Sequence, residues 1–169
     1  ASEQRLALMV EQSPLAVIEW NLDFEVVKWN QAAEQMFGYT AEEALGQHGA
    51  ELIVPENVRP IVDQVWQALI DQRGGTHSIN DNVTKNGRAI TCEWHNTGLI
   101  NTEGKISGVL SIIQDITARK QEELEATAAE LSALGECIAV PSNLATLEGV
   151  SAFADAIRER KERLHILVN

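Results

Sequence analysis

The stretch from Thr76 to Thr117 leaves the chain few choices. THSINDNVTK and RAITCEWHNTGLI flank Asn86-Gly87, a dipeptide suited to a tight hairpin, and KISGVLSIIQDIT follows a second turn at Asn101–Gly104. The runs alternate in polarity or are rich in β-branched residues, so each is predicted as a strand, and turns this short join only antiparallel neighbours. A small sheet of this kind with one apolar face must be covered by helices or by a second subunit.

The preceding residues supply the cover. Residues 2–12, SEQRLALMVEQ, place Leu6, Met9 and Val10 on one helical stripe with Ser2 as a possible N-cap, and Ser13-Pro14 stops the helix. LAVIEWNLDFEVVKWN is predicted as two short strands around a turn at Asn21-Leu22-Asp23. QAAEQMFGYTAEEALGQ follows as short helices, with Gly38 at a C′ position, Thr40 and Glu43 forming a capping box, and Gly46 ending the second helix. Residues 56–72 form an amphipathic helix through Val58, Ile61, Val62, Val65, Trp66, Leu69 and Ile70, closed by Gly74-Gly75. The order predicts an α+β domain, one antiparallel sheet with helices on one face, in about 110–120 residues.

Composition narrows the function. Hydrophobic residues make up 44% of the 169, enough for a packed core. Apolar runs are too short to span a membrane and no secretion signal is visible, so the expected location is cytoplasmic, without a membrane partner. The formal net charge is −12 with no basic patch, which argues against nucleic-acid binding. Cys92 and Cys137 stand singly, so neither a disulfide framework nor a metal site is expected.

Residues 14–118 resemble a PAS domain. The resemblance is carried by PLAVIEWNLDFEVVKWNQAAEQMFGYTAEEALGQ and NVTKNGRAITCEWHNTGLINTEGKISGVLSIIQDIT, above all Trp29-Asn30, Phe37-Gly38-Tyr39, Asn86-Gly87 and the terminal Asp115-Ile116-Thr117. It implies a five-stranded antiparallel sheet cupping a pocket, and a non-catalytic sensory or dimerisation module of bacterial signalling proteins. It also implies that Asp115, Ile116 and Thr117 lead into a signalling helix. Residues 1–13 would be a cap helix that packs on its own sheet or on a second subunit. A homodimer is expected, with Leu6, Met9, Val10, Leu124 and Leu131 as candidate interface residues.

The pocket's content is left unknown by the resemblance. Light-sensing flavin members carry an Asn-Cys-Arg-Phe-Leu run on a helix, which is absent here, while Cys92 falls on a strand. Haem members present a histidine from the long helix, and residues 56–72 contain none; His48 and His77 lie outside it. Both cofactors are therefore disfavoured. All four tryptophans lie before residue 119, and they serve either as core or as cavity lining. Candidate pocket residues are Trp20, Trp29, Asn30, Phe37, Trp66, Cys92, Trp94 and Asn96, with Asn80 and Asn82 as further polar anchors. Cys92, Trp94 and Asn96 share one strand face.

Residues 119–169 change texture. ARKQEELEATAAELSALG is a helix former, with Leu124, Ala128 and Leu131 on a stripe. ECIAVP, SNLATLEGVSAFADAIRERKERL and HILVN then read as strand, helix and strand. This segment resembles an internal piece of a short-chain dehydrogenase/reductase, joined near Arg119–Glu123. It has no glycine-rich loop and no Tyr-x-x-x-Lys; the only tyrosine, Tyr39, is followed at the fourth position by Glu43. No hydride-transfer enzyme is expected from one chain. The rival readings are a remnant or oligomer-assembled NAD(P)-dependent oxidoreductase, and a ligand-free protein-interaction module. In either case the output partner is unknown.

Overall fold

The computed structural model describes residues 2–132 together with Ser151, Ala154 and Asp155. Two compact units divide at Thr117/Ala118. The first contains α1 (Ser2–Glu11), β1 (Ala16–Trp20), β2 (Val26–Trp29), α2 (Gln31–Phe37), α3 (Ala41–Ala44), α4 (Gly49–Ile53), α5 (Arg59–Ile70), β3 (His77–Val83), β4 (Ala89–Ile100) and β5 (Ile106–Asp115). The strands form one antiparallel sheet in the order β2-β1-β5-β4-β3. The first and last strands of the sequence pattern therefore meet at the centre, β1 pairing with β5 from Ala16↔Ile113 to Trp20↔Val109.

The expected local signals hold. Thr40 and Glu43 make the reciprocal capping box of α3, and Gly38 ends α2 in the left-handed conformation at φ 81°. The two hairpin turns share one geometry. Gly87 donates to the Thr84 carbonyl while Thr84 donates to Arg88, and Gly104 and Asn101 repeat this with Asn101 and Lys105. Only the glycine of each turn has positive φ, so both are turns followed by a glycine bulge rather than two-residue mirror-image turns.

Two helices differ from expectation. The long helix begins at Arg59, where Pro60 supplies the fixed φ of a first turn. The helix α4 was not foreseen: five residues are too few to show a period, and its cap is His48, whose Nδ1 accepts from the Ala50 N–H at 3.3 Å. Gly49 opens it because a Cβ there would lie 2.7 Å from the Trp20 ring and 2.8 Å from the Phe24 ring.

The core lies between one sheet face and helices α2 to α5. Asn30 ties its elements together. It is 2% exposed, and its Oδ1 accepts from Val17 N–H (2.9 Å) and caps α2 through Ala33 N–H (3.0 Å). Its Nδ2 donates to the carbonyls of Val10 (2.9 Å) and Leu15 (3.0 Å). One side chain thus satisfies the end of α1, the entry to β1 and the start of α2.

Helix α6 (Thr117–Ser132), which from Ala118 onward lies in the second unit, carries Leu124, Ala128 and Leu131 as half-buried positions on one stripe. Ser151, Ala154 and Asp155 are helical. The expected strands ECIAVP and HILVN fall outside the described residues.

Asn30→Ala removes four hydrogen bonds and strands buried backbone groups. It should destabilise by about 2–4 kcal/mol, read as a lower urea midpoint with an unchanged m-value.

Candidate functional site

A cavity of about 40 Å³ lies between the inner sheet face and the helices. Its two walls differ chemically. The sheet contributes Ser78, Asn80, Asn82, Asn96 and Ser111, and the helical side contributes Ile53, Val62, Val65, Trp66 and Leu69. No lining side chain is ionisable.

The polar wall is held by two hydrogen-bonded chains. In the first, Trp20 Nε1 on β1 donates to Ser111 Oγ on β5 at 3.0 Å, and Ser111 donates to Asn96 Oδ1 on β4 at 2.7 Å. Asn96 Nδ2 then donates to the Gly75 carbonyl at 2.9 Å. A side chain at Gly75 would place its Cβ 2.6 Å from the Val65 carbonyl, and φ there is 75°, so this close approach requires glycine. In the second chain, Trp94 Nε1 and Asn80 Nδ2 both donate to Asn82 Oδ1 at 3.1 Å, and Asn82 Nδ2 donates to the Ile53 carbonyl at 3.1 Å. Burial at 0% exposure is sustainable for Asn82 because both ends of its amide are satisfied.

The apolar wall depends on Phe24. Asn21 Oδ1 accepts from the N–H groups of Asp23 and Glu25 at 2.9 Å, and this turn holds Phe24 at φ 60°. The ring then stacks on Trp66 (4.3 Å between centroids, 25°) and meets Trp20 at 4.9 Å and His48 at 5.3 Å.

Of the residues expected to line a pocket, Trp20, Trp66, Trp94 and Asn96 surround the cavity, as do Asn80 and Asn82. Trp29, Asn30, Phe37 and Cys92 are buried but do not line it. Trp29 Nε1 donates to the Tyr39 carbonyl at 3.1 Å and its ring packs on Phe37 at 5.4 Å, both at the α2 end of the core. Asn30 has its structural role instead. Phe24 and Ser111 were missed; the visible signal for Ser111 was a small polar residue between Val109 and Ile113 on an otherwise buried strand face.

Cys92 is fully buried on the inner face of β4. Burial, with the nearby charges of Asp115 and Asp81, pushes its thiol up to about 12. It is a protonated, inert thiol at neutral pH.

The exit of the sheet is pinned. Asp115 Oδ1 accepts from the N–H (2.9 Å) and hydroxyl (2.5 Å) of Thr117. Thr117 Oγ1 accepts from Thr91 N–H at 2.9 Å, and Ile116, 1% exposed, donates its N–H to the Thr91 carbonyl at 2.9 Å. Ser111 in the cavity wall and Asp115 at the exit belong to the same strand.

On α1, Leu8 and Met9 are 58% and 63% exposed and Val10 is half-buried. The Leu6 side chain lies outside the described residues. On the sheet, Ile79, Ile100 and Ile112 are exposed. Among the described residues, no helix is long and apolar enough to cross a membrane.

Residues 4–116 match the family model of the PAS fold. The signal transduction histidine-protein kinase AtoS of Escherichia coli (strain K12) is 32% identical over 136 residues, covering 78% of this chain and 21% of the kinase. The chain thus spans about a fifth of that relative. The matched share is longer than residues 1–117, so the likeness continues into α6. Two solved structures share the fold. A PAS domain from Colwellia psychrerythraea has TM-score 0.61 at 23% identity, covering 70% of this chain and 99% of its own. A sensory box histidine kinase/response regulator from Burkholderia thailandensis E264 has TM-score 0.57 at 19% identity, covering 77% and 97%.

The Cys92 thiol makes a pH prediction. Its folded pKa is raised, so the stability it contributes is fully present below the unfolded thiol value and is lost as pH rises from about 9 toward 12. Wild type should lose stability about 1.4 kcal/mol per pH unit more steeply than Cys92→Ala between about pH 9 and 11. Urea unfolding at stepped pH measures the difference.

Proposed function

The chain belongs to the PAS family, and from that premise we propose that it is a non-catalytic sensory and dimerisation module of a bacterial signalling protein. In this reading a small neutral molecule binds the cavity, and its presence is passed along β5 to Asp115, Ile116, Thr117 and helix α6. The carrying observation is the Trp20–Ser111–Asn96 chain: a ligand competing for Ser111 or Asn96 would pull on β4 and β5, the strands whose ends pin Thr117.

The cavity chemistry supports the ligand class. About 40 Å³ suits a few heavy atoms, since a single water needs roughly 10–15 Å³ on this measure. Amides and hydroxyls on one wall and aromatic or aliphatic groups on the other favour a neutral amphipathic molecule over a carboxylate. The likeness to AtoS, reaching into α6, supports a kinase-type output module as the partner in the complete protein. For the same reason the dehydrogenase-like reading of residues 119–169 contributes nothing to this proposal.

The exposed Leu8 and Met9 with Ile112 supply apolar surface for a second copy. This surface also serves the alternative of a ligand-free interaction module.

Native mass spectrometry separates the two readings. Wild type should appear as a dimer with a small retained mass. Val65→Phe, which extends a ring into the cavity, should keep the dimer and lose that mass. Met9→Asp should shift the population toward monomer. A bare dimer in wild type and Val65→Phe alike would favour the interaction module.

A further inference from the structure

The outward face of the sheet carries a second cluster, unrelated to the cavity. His77 on β3 stands directly opposite His95 on β4. In the adjacent pair the Asn96 N–H donates to the Thr76 carbonyl at 2.8 Å. His77 and His95 therefore occupy the alternate, non-hydrogen-bonded position, where side chains across two strands come closest. Glu93 lies two residues before His95 and so shares its face. The histidine ring centroids are 4.9 Å apart, and His77 Nε2 is 3.0 Å from Glu93 Oε1. One donor atom from each of the three lies within 4.8 Å of the others, with both histidines exposed and Glu93 half-buried.

We propose that His77, Glu93 and His95 form a binding site for a divalent transition-metal ion of the zinc class. Two imidazoles with one carboxylate are a donor set suited to such ions. Metal–nitrogen bonds of about 2.0–2.1 Å require donor atoms roughly 3–3.5 Å apart. The His77–Glu93 separation already meets this, and the remaining closure is within reach of χ rotation by exposed rings. A surface ion pair between Glu93 and His77 would account for two of these residues but gives no reason for the second ring beside the first. An ion draws all three together and leaves a coordination position open to water.

The location gives the site a consequence. Strand β3 is one edge of the sheet, and its inner face supplies Ser78, Asn80 and Asn82 to the cavity. A metal bridging His77 and His95 would fasten that edge to β4 from outside, stabilising the folded sheet by mass action. The hairpin brings together residues whose separation in sequence hides the grouping, which is why no metal site was expected.

The test uses the untagged full chain, freed of metal with a chelator and titrated with zinc chloride near neutral pH by calorimetry and thermal melting. One equivalent should bind per chain and raise Tm. His77→Ala, His95→Ala and Glu93→Gln should each weaken binding by about tenfold or more, with near-UV circular dichroism confirming that each variant is folded. His165→Ala should bind as wild type does. No saturable binding below about 1 mM zinc, an affinity of roughly −4 kcal/mol, would overturn the proposal. So would binding that survives the His77→Ala/His95→Ala double variant. Loss in the histidine variants with none in Glu93→Gln would overturn the three-ligand assignment.

Discussion

Around the cavity the inner face of this sheet is polar within an otherwise apolar core, and the neighbouring structure accommodates that constraint. Ser111, Asn96 and Asn82 are buried, and each would cost free energy without a partner. The partners are indole N–H groups. Trp20 serves Ser111 and Trp94 serves Asn82, while backbone carbonyls of Gly75 and Ile53 take the remaining amide donors. A tryptophan can supply apolar area and one directed donor from the same side chain. This explains why large aromatics crowd a small domain, and why a cavity persists: the amides hold the sheet side at a fixed distance from the helices.

The exit of the sheet is held as closely as the cavity wall. Ser111 and Asp115 sit on one strand, and the exit is held by three hydrogen bonds among Asp115, Thr117 and Thr91 plus one from Ile116. The second unit begins there with α6, whose stripe of Leu124, Ala128 and Leu131 repeats at helical spacing.

Asn30 and His48 show where sequence reading misses the role. Asn30, expected as a polar anchor for a ligand, gives all four of its side-chain bonds to backbone of α1, α2, β1 and the residue before β1. His48, noted in the sequence only as lying outside the long helix, caps a helix too short to announce itself. In each case the residue type was informative about polarity, but its partners come from segments remote in sequence or from a turn with no periodic signal.

What the sequence determined by itself was local: the strands from their alternation, the glycine-closed turns, the capping box at Thr40 and Glu43, and the amphipathic face of α5. These rest on interactions between residues a few positions apart, so the pattern and the cause are in the same window. The tertiary structure alone decided the pairing of β1 with β5, which side chains meet at the cavity, and the approach of His77 to His95. Those depend on register between distant strands, and a one-residue slip would send every side chain to the other face. Register is set by the packing of the whole sheet against its helices, a global condition that no short stretch of sequence contains.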